Sequence, residues 1–437
     1  MGAGQVKQIV IIGDSAAGVA TVEAIRNKDK ESKIIVLSDE NFPSYCRCVI
    51  SDFLAGKVSE DKLIYRSQEF FKENNVELLL NKEVIKVDPK KNRVAAEDIS
   101  ENKKEDKKSK SAKLQFDYDV LVLANGASPK FPELPGIKKK GVFGFRTIKD
   151  TKDILQFVTM ADSACVLGGG LIGLKAAYGL KKRGLDVKVI IKSPQVLSQV
   201  VDKQAAEFVG KRLSDNGIEI LTGSDVTEIL GNGDIKAVKL DSGKVIACQI
   251  VVAAKGVKPN TEIISETEIK INEGICVDEY MKTNIPNIYA AGDVAETFDL
   301  TVNKTAVNAL WPHAVDQGKI AGANIVGENI KYAGSLGLNS LDFFDLPVVS
   351  MGIYKQTDNH EVLAKTYPAD ELYKKLVIEG NRLVGAVLVG NINQSGVFLE
   401  LIKQKSDIST IKDRLLNENF GYPDIMDLTQ GAERSYV

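Results

Sequence analysis

Apolar positions near the N-terminus form an unbroken run, Gln8 to Ile12 (QIVII), followed by a glycine turn and an apolar stretch of helical length. The same sequence of events recurs at Ala164 to Leu167 (ACVL). Each is followed by a second short apolar run, Lys33 to Leu37 (KIIVL) and Val187 to Ile191 (VKVII), at the distance expected of a βαβ unit on a parallel sheet. The pattern predicts two nucleotide-binding units. After about Gly327 it changes to short strand-like runs, Leu346 to Ser350, Leu376 to Glu379 and Leu383 to Val389, with helical segments near the end, which predicts a separate α+β domain. Between the repeats, Asp98 to Lys113 is charged and nearly free of large apolar residues, and is expected to be a solvated hairpin tip or disordered loop.

With 437 residues the chain is long enough for two or three domains and a cleft between them. A formal charge of -2 gives no basic field for nucleic acid, and no apolar run approaches the roughly 20 residues of a membrane span. The apolar run at the N-terminus passes straight into a glycine turn rather than a cleavable leader, so a cytoplasmic location is expected. The five cysteines, Cys46, Cys48, Cys165, Cys248 and Cys276, read as reduced thiols, with no spacing that proposes an iron–sulfur or zinc site.

Chemistry concentrates in the glycine turns. In the first, Gly13, Ser15 and Gly18 take the three glycine places of G-x-G-x-x-G, with Ala16 and Ala17 between them. Gly13 permits the tight turn, the small residue at 15 lets backbone approach a pyrophosphate, and Gly18 allows helix and strand to close up. The free N–H groups of the helix start would receive the phosphates. Past the second strand, Asp39 or Glu40 is placed to accept from an adenosine ribose, unless both belong to an acid-rich surface turn. The second motif is complete: Gly168, Gly170 and Gly173, with Leu171 and Ile172 inside it and a helix expected from Leu174 onward. At the end of its second strand Ile191 offers no carboxylate for a ribose diol, whereas Lys192 and Ser193 can donate to a 2′-phosphate. NADPH is therefore favoured over NADH as the nicotinamide coenzyme, the alternative being that Lys192 is only a surface lysine.

The ordered landmarks GDSAAG, YCRCVISDFLAG, VLVLANGASP, VLGGGLIG, AAKGVKPN, NIYAAGDVA and WPHAVDQG resemble the pyridine nucleotide–disulfide oxidoreductase superfamily over almost the full chain. They are nearest the branch of NADH:rubredoxin oxidoreductases, nitrite reductase flavin domains, NADH oxidases and coenzyme A disulfide reductases. The resemblance implies an α/β fold of two Rossmann-like domains, one for FAD and one for NAD(P), plus a C-terminal α+β interface domain. Its expected boundaries are 1–128 and 257–326 for the FAD domain, 129–256 for the NAD(P) domain and 327–437 for the last. It further implies that Ala124, Asn125 and Gly126 form the turn beside FAD and that Gly256 belongs to the cofactor site. Gly292 and Asp293 would form a second FAD signature, with Asp293 accepting from ribityl hydroxyls and a helix N-terminus following it.

Cys46 and Cys48 straddle Arg47 in the stretch that carries an active cysteine in NADH oxidases and coenzyme A disulfide reductases, and a Y-x-R-P motif in electron-transfer reductases. Either thiolate would be favoured by the arginine. The alternative is two small residues beside the isoalloxazine, with Arg47 bonded to phosphate or carbonyl groups. His313 is expected to be a packed, hydrogen-bonded residue and His360 to be exposed in a polar turn. The function that follows is transfer of hydride from NAD(P)H to FAD and of electrons onward to a rubredoxin or ferredoxin-like carrier. The alternatives are a thiol-assisted oxidase, peroxidase or disulfide reductase, and a non-catalytic flavoprotein subunit of a redox complex. A homodimer is compatible with an interface domain.

Overall fold

In the computed structural model, which describes residues 6–100 and 113–429, both predicted nucleotide units are present and share one topology. The strand Gln8–Ile12 lies at the centre of a five-stranded parallel sheet, flanked by Lys33–Leu37 and Val76–Leu79 on one side and by Val120–Leu123 and Ile288–Ala290 on the other. Ser163–Leu167 is likewise central, between Asp186–Ile190 and Ile218–Leu221 on one side and Ile250–Ala253 and Val142–Phe143 on the other. Central parallel strands are covered on both faces, which is why these segments read as continuous apolar runs rather than alternating ones. Ile9, Val10 and Ile11 are fully buried, as are Val187 and Val189.

Because Ile288–Ala290 completes the first sheet after the chain has built the second, the first sheet is assembled from two separated stretches of chain. Two short strands, Ala127–Pro129 and Val257–Pro259, run antiparallel where the chain leaves and re-enters it. A three-stranded antiparallel sheet, Lys82–Asp88, Arg93–Asp98 and Lys113–Asp117, is inserted in the first domain. The charged segment expected to be solvated joins its last two strands, and residues 101–112 of it lie outside the described residues.

One expectation is corrected. The segment after Asp293 is a strand, Ala295–Asp299, paired antiparallel with Lys304–Ala306, and not a helix. Apolar and β-branched positions in AETFDLTV suit a hairpin, and the helix begins only at Trp311. That helix, Trp311–Ile325, lies tightly along Ala16–Lys28: a Cβ on Gly318 would come within 2.3 Å of the Ala17 carbonyl, and one on Gly322 within 2.6 Å of Thr21 O. Thr21 Oγ1 donates to Ala17 O at 2.8 Å and Gly318 O at 3.1 Å, fixing the pair.

The C-terminal sheet is antiparallel, in the order Leu338–Phe343, Leu346–Gly352, Arg382–Val389, Leu372–Glu379, Glu361–Tyr367. One face is covered by Ser395–Gln404 through buried Phe398 and Leu401, and the other contributes Phe343, Val348 and Val387 to the core of the second domain. Lys375, almost fully buried, crosses to Asp202 at 2.9 Å, so the two domains are joined by charge as well as by apolar contact.

Candidate functional site

The two glycine turns solve the same steric problem with the same atoms. Gly13 has φ 104° and Gly168 φ 128°, in the region that favours glycine. A Cβ on Gly13 would lie 2.2 Å from Ala124 O, and one on Gly168 would lie 2.3 Å from Ala254 O. Gly18 backs onto Gly13 O at 1.9 Å and Gly173 onto Gly168 O at 2.1 Å, counted from the Cβ each lacks. The middle position differs. Ser15 is the N-cap of the first helix and makes no capping bond with its side chain, and Gly170 is the N-cap of the second with nothing within 4 Å of a Cβ placed there. The second helix starts at Leu171, one turn earlier than expected, because Gly170 in extended conformation already caps it. Its free N–H groups therefore open directly at the motif.

A cavity of about 780 Å³ runs from the first turn to the start of the second helix. Gly13, Ser15, Ala16, Ala17, Asp39, Glu40, Arg47, Cys48, Ala124, Asn125, Gly126, Leu171, Ile172, Gly292 and Asp293 line it together. Gly18 lies beneath it, and Cys46, which does not line it, is half-buried. Gly168, Gly170, Gly173, Lys192, Ser193 and Gly256 do not line this cavity. The strand that leads to Lys192 ends at Ile190. Ile191 is buried, its side chain within 2.7 Å of a Cβ on Gly169, and Lys192 is exposed. The Ser193 hydroxyl donates to Gln195 O at 2.7 Å, so its proton is already engaged.

Polar groups in the cavity form a connected set. Arg47 binds Glu40 at 2.5 Å and Arg146 O at 3.2 Å, and the Tyr45 hydroxyl donates to Glu40 at 2.8 Å. Of the two acids past the second strand, Glu40 is thus held in place and Asp39 is exposed. Asp293 is paired with Arg146 at 2.5 Å, and Gly292 N–H donates to buried Gln317 at 2.8 Å. Asp14, within the first turn, accepts from Ser38 at 2.9 Å while its other oxygen is buried without a partner. Burial is the main reason its carboxyl is pushed up to about 7, with Glu40 adding to the effect and Ser38 and Arg47 opposing it.

Three residues that line the cavity escaped the sequence reading: Asp14, Arg146 and Lys175. Arg146 immediately precedes a capping box in which Thr147 and Asp150 bond reciprocally, and that local signal could have drawn attention to it. Lys175, on the second helix, lines the cavity although it lies beyond the glycine motif. His313 is buried with Nε2 against Leu336 O at 2.8 Å, as expected of a packed histidine. His360 bonds Thr357 in its turn and is only half exposed.

The cradle fits FAD. Its first turn has no room for a Cβ on Gly13 or Gly18, its helix start presents free amides, and two of its buried polar atoms, Asp14 Oδ2 and Asn125 Oδ1, lack partners. Leu171, Ile172 and Lys175 bring the second dinucleotide unit to the same cavity. Two Rossmann units facing one cavity define an oxidoreductase that sets two dinucleotides end to end.

Residues 7–318 match the pyridine nucleotide-disulphide oxidoreductase family, and residues 338–406 match the rubredoxin NAD+ reductase C-terminal domain. The chain belongs to this family, and it is an FAD-dependent NAD(P)H oxidoreductase. It is 34% identical over 402 residues to an NADH oxidase of Methanocaldococcus jannaschii, covering 87% of each chain. It is 33% identical over 405 residues to a nitrite reductase [NAD(P)H] of Bacillus subtilis, covering 92% of this chain but 48% of the relative, so it spans about half of that protein. Among solved structures it is similar to an NAD-dependent persulfide reductase from A. fulgidus, with a TM-score of 0.86 and 28% identity, covering 95% of this chain and 79% of that one. No helix among the described residues is long and apolar enough to cross a membrane.

Proposed function

We propose that the chain takes hydride from NADPH in preference to NADH and passes the electrons from FAD to a small one-electron carrier of the rubredoxin or ferredoxin type. The observation that carries the first half is the shared cavity, where Leu171 and Lys175 of the nicotinamide unit meet Gly13, Gly126 and Asp293 of the flavin unit. Direct transfer requires the two rings to be held in contact, and a single cavity bounded by both units supplies that. The carrier half is supported by the likeness of residues 338–406 to the C-terminal domain of rubredoxin reductases. In this reading Glu40 and Arg47 set the adenosine side of FAD, while Asp293 and Arg146 set the ribityl and phosphate side. Lys192, exposed next to Ile191, where a ribose-binding carboxylate would otherwise stand, supports the 2′-phosphate.

Anaerobic addition of NADPH should bleach the flavin absorbance, and oxidised rubredoxin or ferredoxin should restore it over many turnovers. Restoration by oxygen or small disulfides alone, with both carriers inert, would remove the carrier from the proposal and leave hydride transfer to flavin intact.

A further inference from the structure

The loop 195–202, which follows Lys192 and does not line the cavity, is tied down from the C-terminal region. Ser350, on Leu346–Gly352, donates its hydroxyl to Val200 O, and the Tyr354 hydroxyl donates to Ser198 O at 3.3 Å. At the end of the loop the Tyr373 hydroxyl donates to Asp202 at 2.7 Å, and the Lys375 ammonium meets the same carboxylate oxygen at 2.9 Å. Asp202 in turn caps the helix Lys203–Asp215, accepting from Ala205 N–H at 3.3 Å. The ties hold a strained residue. Leu197 is buried at φ 50°, a left-handed conformation that a leucine keeps only where its surroundings impose it. In that conformation Leu197 N–H reaches Gly169 O at 2.8 Å, while Val200 and Val201 N–H return to Leu197 O at 2.8 and 3.0 Å. Gly169 stands in the middle of the second glycine turn. A trans peptide points its C=O and its N–H in opposite directions, so the bond that holds Gly169 O also aims Gly170 N–H away from the loop. Gly170 is the residue that opens the helix Leu171–Lys182.

We propose that Ser350, Tyr354, Tyr373 and Lys375 are positioning residues for the nicotinamide coenzyme: through the loop 195–202 they orient the Gly169–Gly170 peptide, whose amide receives the coenzyme's pyrophosphate. The inference rests on the reading of the second glycine turn as the pyrophosphate site. Pyrophosphate is common to NADH and NADPH, whereas the Lys192 ammonium bears on the 2′-phosphate alone. The loop therefore sets affinity for both coenzymes, and Lys192 sets the choice between them. None of the four positioning residues lines the cavity beside the first glycine turn, so FAD is held independently of them. All four lie within residues 338–406, so the region that matches the rubredoxin reductase C-terminal domain acts on the coenzyme end as well. The coupling is reciprocal, since a coenzyme that favours the aimed peptide also stabilises the ties that aim it.

The test measures binding of NADP+ and of NAD+ by calorimetry to the full chain with FAD bound, as wild type, Ser350→Ala, Tyr354→Phe, Tyr373→Phe and Gly170→Ala. Each of the first three removes one hydroxyl and leaves the Lys375–Asp202 pair in place. Each is expected to weaken both coenzymes by the same factor, roughly two- to tenfold, the range of one hydrogen bond, with flavin content unchanged. Unchanged affinity in all three would overturn the proposal. A loss confined to NADP+ would overturn it too, because it would put the effect of the loop at Lys192. Gly170→Ala reports on the site itself. If it weakens both coenzymes while the hydroxyl variants bind like wild type, the pyrophosphate site stands and the role of the loop falls; if all four bind like wild type, both fall. Hydrogen exchange on wild type needs no variant to fold. Saturating NADP+ should slow exchange across 195–202 and around Ser350 and Tyr354 while leaving the first glycine turn unchanged, and an unaltered pattern across 195–202 would count against the coupling.

Discussion

The Arg146 guanidinium holds the Asp293 carboxylate at 2.5 Å across the cavity wall, joining the segment that enters the nicotinamide domain to the segment that returns from it. Both side chains are mostly shielded, at 14% and 16% exposure, so neither can lose its partner cheaply. Asp293 is therefore oriented before any ribityl hydroxyl reaches it.

Removing either partner should weaken FAD retention. Asp293→Ala and Arg146→Ala are each expected to cost roughly 1 to 3 kcal/mol of FAD binding, the range for a charged hydrogen bond. The double variant should lose less than the sum, because each single change already strands the other group. Fluorescence titration of FAD-free protein checks this, and strictly additive losses would show the pair to be uncoupled.

Asp14 makes a prediction about pH. Its carboxyl is raised to about 7 in the folded protein, chiefly by burial, whereas unfolding returns it to the ordinary value of 3.8. The folded state then binds the proton more tightly, so stability is highest at low pH, falls as pH rises from about 4 to 7, and levels off above that. Asp14→Asn keeps an acceptor for Ser38 and removes the charge. FAD-free Asp14→Asn should therefore lack this decline and melt above wild type at pH 8, as thermal scans across the window would show. Parallel curves for the two proteins would place the Asp14 titration elsewhere.

The glycines separate folding from binding. Gly173→Ala would drive a methyl to 2.1 Å from the Gly168 carbonyl, whereas Gly170→Ala meets nothing within 4 Å and keeps an extended backbone. Gly173→Ala should thus destabilise the nicotinamide domain, visible as a lower Tm. Gly170→Ala should melt like wild type and raise KM for the coenzyme several-fold, by holding the pyrophosphate off the helix start. A matching fall in Tm for both would mean that Gly170 is there for packing.

What could be read in advance was whatever is encoded locally. Strand Gln8–Ile12 and its turn were legible because a continuous apolar run and two obligatory glycines lie side by side in the chain. Arg146 and Lys175 were not, since nothing near them in sequence reveals that folding brings Arg146 to Asp293 or Lys175 towards Cys48. The strand after Asp293 was misread as a helix because the phosphate-facing helix was expected at once. The chain instead inserts a hairpin, and it is the later helix at Trp311 whose first turn reaches the cavity. Ser193 shows the same limit on a smaller scale, since its donor capacity was clear but its bond to Gln195 depends on a turn only the fold defines.

Coenzyme choice rests on Lys192. Ile191 is buried against the Gly169 backbone and presents no acceptor, so nothing at this strand end holds a ribose diol in the way a carboxylate would. Lys192 is exposed and makes no ion pair among the described residues, which leaves its ammonium available to a 2′-phosphate. With the Ser193 proton engaged by Gln195, discrimination falls mainly on this one charge. Lys192→Glu replaces attraction by repulsion and should lower kcat/KM for NADPH more than for NADH. A change of roughly 1 to 3 kcal/mol in the difference between them corresponds to about 5- to 150-fold in the specificity ratio. Because the group is solvent-exposed, the effect should shrink as ionic strength rises, which a purely steric change would not do. Steady-state kinetics with both coenzymes at low and high salt measures both quantities, and an unchanged NADPH/NADH ratio would reduce Lys192 to a surface residue.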